Sequence, residues 1–218
     1  AAPFLEKASA LAPTDANLVA ILEQAKRHQS FEKKLVETGV SLFDIAFDGE
    51  TNAGAGQRVL SMLLSAQTEV ANDLGLQQRR RVRVVLYSAR EYAEVTSAPE
   101  WAAAHFDGKI RVPVKDLDKR EQQLRGVVYH EYTHALLAEA LPNCPSWLHE
   151  GLAQGEEFGR VLGAEAEKDR LKGLPAADAW IPLSDLDAPI SALPAARVSQ
   201  AYAESLGFVR YLDARFGR

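Results

Sequence analysis

The sequence predicts an α+β fold, with a small mixed sheet lobe towards the N-terminus and a helical lobe towards the C-terminus. Three observations lead there. Runs rich in β-branched and aromatic residues are confined to 40–114. Their order is strand, helix, strand, which suits neighbouring strands packed under a helix. From about 118 onward apolar residues recur at helical spacing, interrupted by the Pro-, Ala- and Asp-rich stretch 173–195.

Taken in order, residues 1–38 read as helix throughout, with Phe4, Leu5, Ala8, Leu11, Leu18, Ile21, Leu22 and Ala25 at helical spacing. A helix ending in Leu11-Ala12-Pro13-Thr14-Asp15-Ala16 and followed by another resembles the tail of a tetratricopeptide-repeat array. That resemblance implies a protein partner reached through upstream repeat helices. An ordinary helical hairpin packed on the domain accounts for the same residues. Val40–Phe47 suits a strand ended by Asp48-Gly49. Residues 54–74 form a helix with Val59, Leu60, Leu63, Leu64, Val70 and Leu74 on one side and Gly75 as its stop. Val82–Tyr87 is a strand, followed by a short helix over Ala89–Val95. Gly108–Val114 alternates charged and apolar residues, and Pro113, unable to donate to a ladder, places this strand at a sheet edge. Helices are expected over 118–140, 147–160, 162–172 and 196–216, with 173–195 mostly loop.

Composition narrows the function classes. A net charge of -5 and a pI near 5.6 give no electrostatic case for nucleic acid. Arg79-Arg80-Arg81 leads straight into an apolar strand and reads as its solvated entrance rather than a phosphate patch. Cys144 is the single cysteine, so no internal disulfide forms and the compartment stays open. Its setting, Pro142-Asn143-Cys144-Pro145, suits a buried loop thiol better than a nucleophile. No apolar run reaches the length of a membrane span. His28 and His105 have no partners in sequence and read as surface residues.

The informative stretch is His130-Glu131-Tyr132-Thr133-His134. Histidines four apart share one helix face, so both imidazoles can reach one ion. Glu131 can then reach a water on that ion without being a ligand. Asp118 with Glu121 suits an N-cap for this helix, and Leu124, Val127, Val128, Ala135, Leu136 and Leu137 give it a buried side. After Pro142 ends it, Ser146 suits an N-cap for a second helix. Glu150, in the first turn of that helix, would complete a His2Glu zinc site of His130, His134 and Glu150.

His-Glu-x-x-His followed by Trp147-Leu148-His149-Glu150-Gly151-Leu152-Ala153 resembles the gluzincin metallopeptidases, whose third zinc ligand is the Glu of a Trp-x-x-Glu-Gly-x-Ala stretch. Within them the chain is most similar to the compact bacterial peptidase MA-like domains, which often lie downstream of tetratricopeptide repeats. The resemblance covers roughly residues 40–218 and implies a thermolysin-like catalytic domain over 39–218 with one Zn2+ ion. It implies Glu131 as general base and a peptide or protein as substrate. It also implies an oxyanion donor from a late helix, for which Tyr202 is the candidate and Tyr211 the weaker competitor. A core tyrosine with a satisfied hydroxyl is the plain alternative for Tyr202. His149 replaces the Asn of related aminopeptidases and reads as a neighbour of the site rather than a ligand. Gln154 stands where thermolysin-like enzymes place an acid that orients a ligand histidine. No stretch matches the Gly-x-Met-Glu-Asn with which alanyl aminopeptidases bind a free N-terminus, so endopeptidase activity is the default expectation. In this family a strand like 109–114 borders the cleft, where an extended substrate can add as a further strand.

Two competing readings stand beside this one. The first is a zinc-binding, non-hydrolytic interaction module attached to repeat helices; the intact Glu131 argues against it. The second is a helical repeat cap carrying the motif by chance.

Overall fold

A computed structural model of the chain describes residues 2–47, 53–96, 105–114, 117–176 and 179–217. The fold is α+β. Five strands, β1 (Val36–Val40), β2 (Phe43–Phe47), β3 (Val82–Ser88), β4 (His105–Phe106) and β5 (Ile110–Val114), form one mixed sheet in the order β1-β2-β3-β5-β4. The central strands β2, β3 and β5 are parallel, with β1 and β4 antiparallel at the two edges. As expected, β2 and β3 are neighbours with helix α3 (Ala53–Leu74) between them in sequence; the structure pairs them in parallel.

Alternation along the strands gives the sheet two different faces. Phe43, Ile45, Val84, Leu86, Ile110 and Val112 point to one face and pack with Val59, Leu63 and Val70 of α3 and Val128, Tyr132 and Leu136 of α5 (Leu117–Ala140). Ala46, Val85 and Tyr87 point to the other, where α4 (Ala89–Thr96) supplies Tyr92 and Val95 and α2 (Ala16–Glu32) supplies Phe31. The ring of Phe31 stacks on Tyr87 at 4.9 Å. Helix α1 (Ala2–Leu11) packs on α2, so the N-terminal hairpin sits across the sheet from α5.

The C-terminal lobe has its own core. Helix α6 (Ser146–Glu157) runs on through a π-helical turn, Phe158–Leu162, to α7 (Ala164–Leu171). It packs against α8 (Ala195–Phe216). The intervening segment carries two short 3-10 turns, Leu183–Leu186 and Ile190–Ala192. Ile181, Leu186 and Ile190 are buried there with Ala201. Its backbone is tied to α8 by Glu204, whose fully buried carboxylate accepts from Ile181 N at 3.2 Å.

Several expectations need correction. Residues 36–38 are strand, not helix: the chain turns at Ser41 (φ 52°), and Val36–Val40 pairs back on Phe43–Phe47 as a hairpin. The single strand expected over 40–47 is therefore only its second half. As the Leu11–Ala16 stretch suggested, one helix ends and another follows: the break falls at residues 12–15, where Asp15 caps α2 by accepting from Asn17 N and Leu18 N at 3.0 Å. β5 is not the edge strand at its start, because β4 pairs with Ile110 and Arg111. From Val112 on, Pro113 included, it has no outer partner among the described residues. Neither expected cap at the site forms. Asp118 lies inside the first turn of α5 and takes Arg58 at 2.6 Å, and the cap of α6 is Pro145, one residue before Ser146. His28 is half-buried at the hairpin–sheet junction rather than open to solvent, with its Nδ1 enclosed. The side chain of His105 lies outside the described residues. No helix among the described residues is long and apolar enough to cross a membrane.

Candidate metal centre

Three side chains from two helices converge. One turn of α5 separates His130 and His134, whose rings cross at 78° with their Nε2 atoms 3.1 Å apart. A turn at 141–145 reverses the chain, and α6 brings Glu150 Oε2 to 3.4 Å from His130 Nε2 and 3.5 Å from His134 Nε2. For bonds of about 2.0–2.1 Å, the edge of a tetrahedron around one ion is about 3.3 Å. The three separations match that edge, so this cluster could hold a metal ion. Glu150 Oε2 is buried with no hydrogen bond of ordinary geometry, facing the two ring nitrogens instead. Each of the three side chains keeps 14–16% of its surface exposed, so the site is sheltered yet reachable.

The electrostatics favour a cation at this point. Burial opposes charge on His130, but hydrogen bonds to Glu150 and Glu157 and the charge of Glu131 outweigh it, raising its pKa well above 6.5. Burial likewise opposes charge on Glu150, yet His130 and His134 hold its carboxyl far below the usual range. A field that favours a proton on His130 would equally favour a metal cation there.

Each histidine is held through its other nitrogen. His130 Nδ1 lies 3.0 Å from Glu157 Oε2, so with Nε2 as ligand atom its N–H donates to a carboxylate. Glu157 was missed in the sequence, where Gln154 held the supporting role. It lies seven residues after Glu150, two turns on along the same helix face, and that spacing was the available signal. Gln154 serves a different purpose: its amide donates to Tyr202 O at 2.9 Å and to Glu150 O at 3.1 Å, joining α6 to α8. His149, as expected, is a neighbour and not one of the three converging side chains; its Nδ1 sits 3.4 Å from His134 Nδ1. Burial and the charge of His134 lower its pKa.

Glu131 is buried at 5% exposure beside the first histidine. Tyr202 is half-buried on α8 with the Arg170 guanidinium 5.8 Å from its ring centre. Burial, then the charges of Glu150 and Glu131, raise its pKa. Tyr211 is 64% exposed.

A cavity of about 320 Å3 opens beside His134 and Glu150. Phe106 of β4, Cys144 of the turn, Ser146 and His149 of α6, and Asp187 of the 173–195 segment are among its walls. That segment therefore flanks the cleft, whereas no residue of the N-terminal hairpin lines it. Burial pushes the Cys144 thiol up, away from a nucleophile's range.

The small-residue pattern around Glu150 has a packing cause. A Cβ on Gly151 would lie 2.3 Å from Ser205 O and 2.5 Å from Val209 Cγ2. Only glycine lets α8 approach this closely, and that approach fixes the helix carrying Glu150. No protein-family model matches the chain, and no curated protein matches it.

Proposed function

We propose that the chain is a zinc-dependent peptidase of gluzincin type, with a thermolysin-like catalytic domain that cleaves within peptide chains. The observation that carries this reading is the convergence of His130, His134 and Glu150 at tetrahedral spacing with a buried carboxylate, Glu131, on the adjoining helix position. Zinc bound there would polarise a substrate carbonyl and acidify a water. Glu131 accepts a proton from the water as its oxygen bonds to the scissile carbonyl carbon, and passes that proton to the amine nitrogen as the C–N bond breaks. Tyr202, whose burial favours the protonated hydroxyl, donates that hydrogen to the developing oxyanion. Glu157 holds His130 with Nε2 free to ligate. A buried carboxylate poised beside the ligands favours hydrolysis over a purely structural metal site.

The test is a cleavage screen on a diverse peptide mixture with and without a chelator. Cleavage that chelator abolishes and zinc restores supports the proposal, and cut positions away from chain ends support endopeptidase action. Zinc bound without cleavage of any peptide supports the interaction module instead.

A further inference from the structure

The least expected residue at the site is His149, and its geometry assigns it a state. The ring centres of His134 and His149 are 5.6 Å apart, while their Nδ1 atoms are 3.4 Å apart. The difference, 5.6 − 3.4 = 2.2 Å, is close to twice the radius of a five-membered ring, the most it can be. Both nitrogens therefore lie nearly on the line between the ring centres. The rings, 21° from parallel, meet edge to edge, and the contact points along the N–H and lone-pair directions. One nitrogen donates and the other accepts.

Which one donates follows from the other end of His134. Its Nε2 converges with His130 Nε2 and Glu150 Oε2, so as a neutral ligand it carries its proton on Nδ1. His149 Nδ1 must then accept, which leaves the His149 proton on Nε2. That Nε2 is not enclosed and has no hydrogen-bond partner among the described residues, while the ring lines the cleft.

We propose that His149 is a substrate-contacting residue: locked by His134 into the Nε2–H tautomer, it presents a donor to a backbone carbonyl oxygen of a peptide lying in the cleft. This rests on the peptidase reading for its ligand, and on the metal centre for its tautomer. The role differs from that of Glu157, which is aimed only at His130. His149 accepts from a ligand histidine on one side and faces the cleft on the other.

Two variants separate the two ends. An asparagine Oδ1 falls near the place of histidine Nδ1, so His149→Asn keeps the acceptor for His134 and loses the Nε2–H; His149→Phe keeps the ring shape and loses both. In chelator competition with zinc alone, His149→Asn should match the parent, whereas His149→Phe should bind about 10–100-fold more weakly. With a peptide cut in the screen above, His149→Asn should raise KM about 3–10-fold with kcat little changed, the signature of a lost binding contact. On the unaltered zinc-loaded chain, nitrogen-15 NMR should show His149 protonated at Nε2 and His134 at Nδ1. A His149 proton at Nδ1, or an unchanged KM in His149→Asn, overturns the proposal. Equal zinc affinity in parent and His149→Phe removes the hold on His134 and with it the locked tautomer. A parent that binds zinc but cuts no peptide fails the peptidase reading, and the NMR result still decides the tautomer.

Discussion

At the scale of single residues, the site divides into groups that would hold a metal ion and groups that would handle protons. Glu131→Gln removes a proton acceptor without removing a ligand. Metal content should stay at the parent level while kcat falls about 10²–10⁴-fold, the usual contribution of a positioned general base. A variant that cleaves peptides like the parent would strip Glu131 of its role. Glu157→Gln replaces the carboxylate facing His130 Nδ1 by a neutral amide, and zinc affinity in chelator competition should drop about 10–100-fold. These residues were unequally legible. His130, Glu131 and His134 could be read because helical spacing alone puts them on one face. Glu150 needed only the turn that reverses the chain. Glu157 could have been found from its two-turn spacing. The His134–His149 contact could not, since it depends on how α5 and α6 cross, which no local pattern encodes.

At the scale of elements, one glycine and one buried acid hold the helical lobe against the site. Gly151→Ala puts a Cβ 2.3 Å from a backbone oxygen of α8, a collision no side-chain rotation relieves. It should cost about 1–3 kcal/mol or more, seen as a lowered Tm, and weaken zinc binding as α6 moves with Glu150. Glu204→Ala leaves Ile181 N without its acceptor and should cost roughly 1–3 kcal/mol. Limited proteolysis should then cut first within 173–195, while parent protein resists there. Trp180, against Phe208 of α8, adds to the anchorage of that segment, and Trp147 of α6 meets the same ring edge-on. The long helices were legible because each shows one apolar face over many turns. The β1–β2 hairpin was not: Val36–Val40 is exposed throughout and follows a helix with no apolar break, so neither burial nor periodicity marked its start.

At the scale of the whole molecule, a polar cluster ties the N-terminal hairpin to the sheet face opposite the site. Glu32 at the end of α2 accepts from Lys109 Nζ at 2.7 Å and Arg111 Nη1 at 3.2 Å, and Arg111 also donates to Tyr87 at 2.6 Å. Burial opposes the charge on Glu32, but these cations outweigh it and hold its carboxyl below 4.5. A carboxyl depressed in the folded state stabilises fully above that value and loses its contribution as pH falls below it. Acid should therefore loosen α2 before α5, which hydrogen exchange on the two helices would show; equal loosening would contradict the attachment. The sheet's two faces, one covered by a hairpin and one carrying the site helix, follow from strand alternation and were legible in outline. The most direct measurement is the zinc content of the purified chain and of its His134→Ala variant by elemental analysis. One zinc per parent chain and a large loss in the variant is the expected result. A parent chain that takes up no zinc, or a variant that holds it equally well, would contradict it.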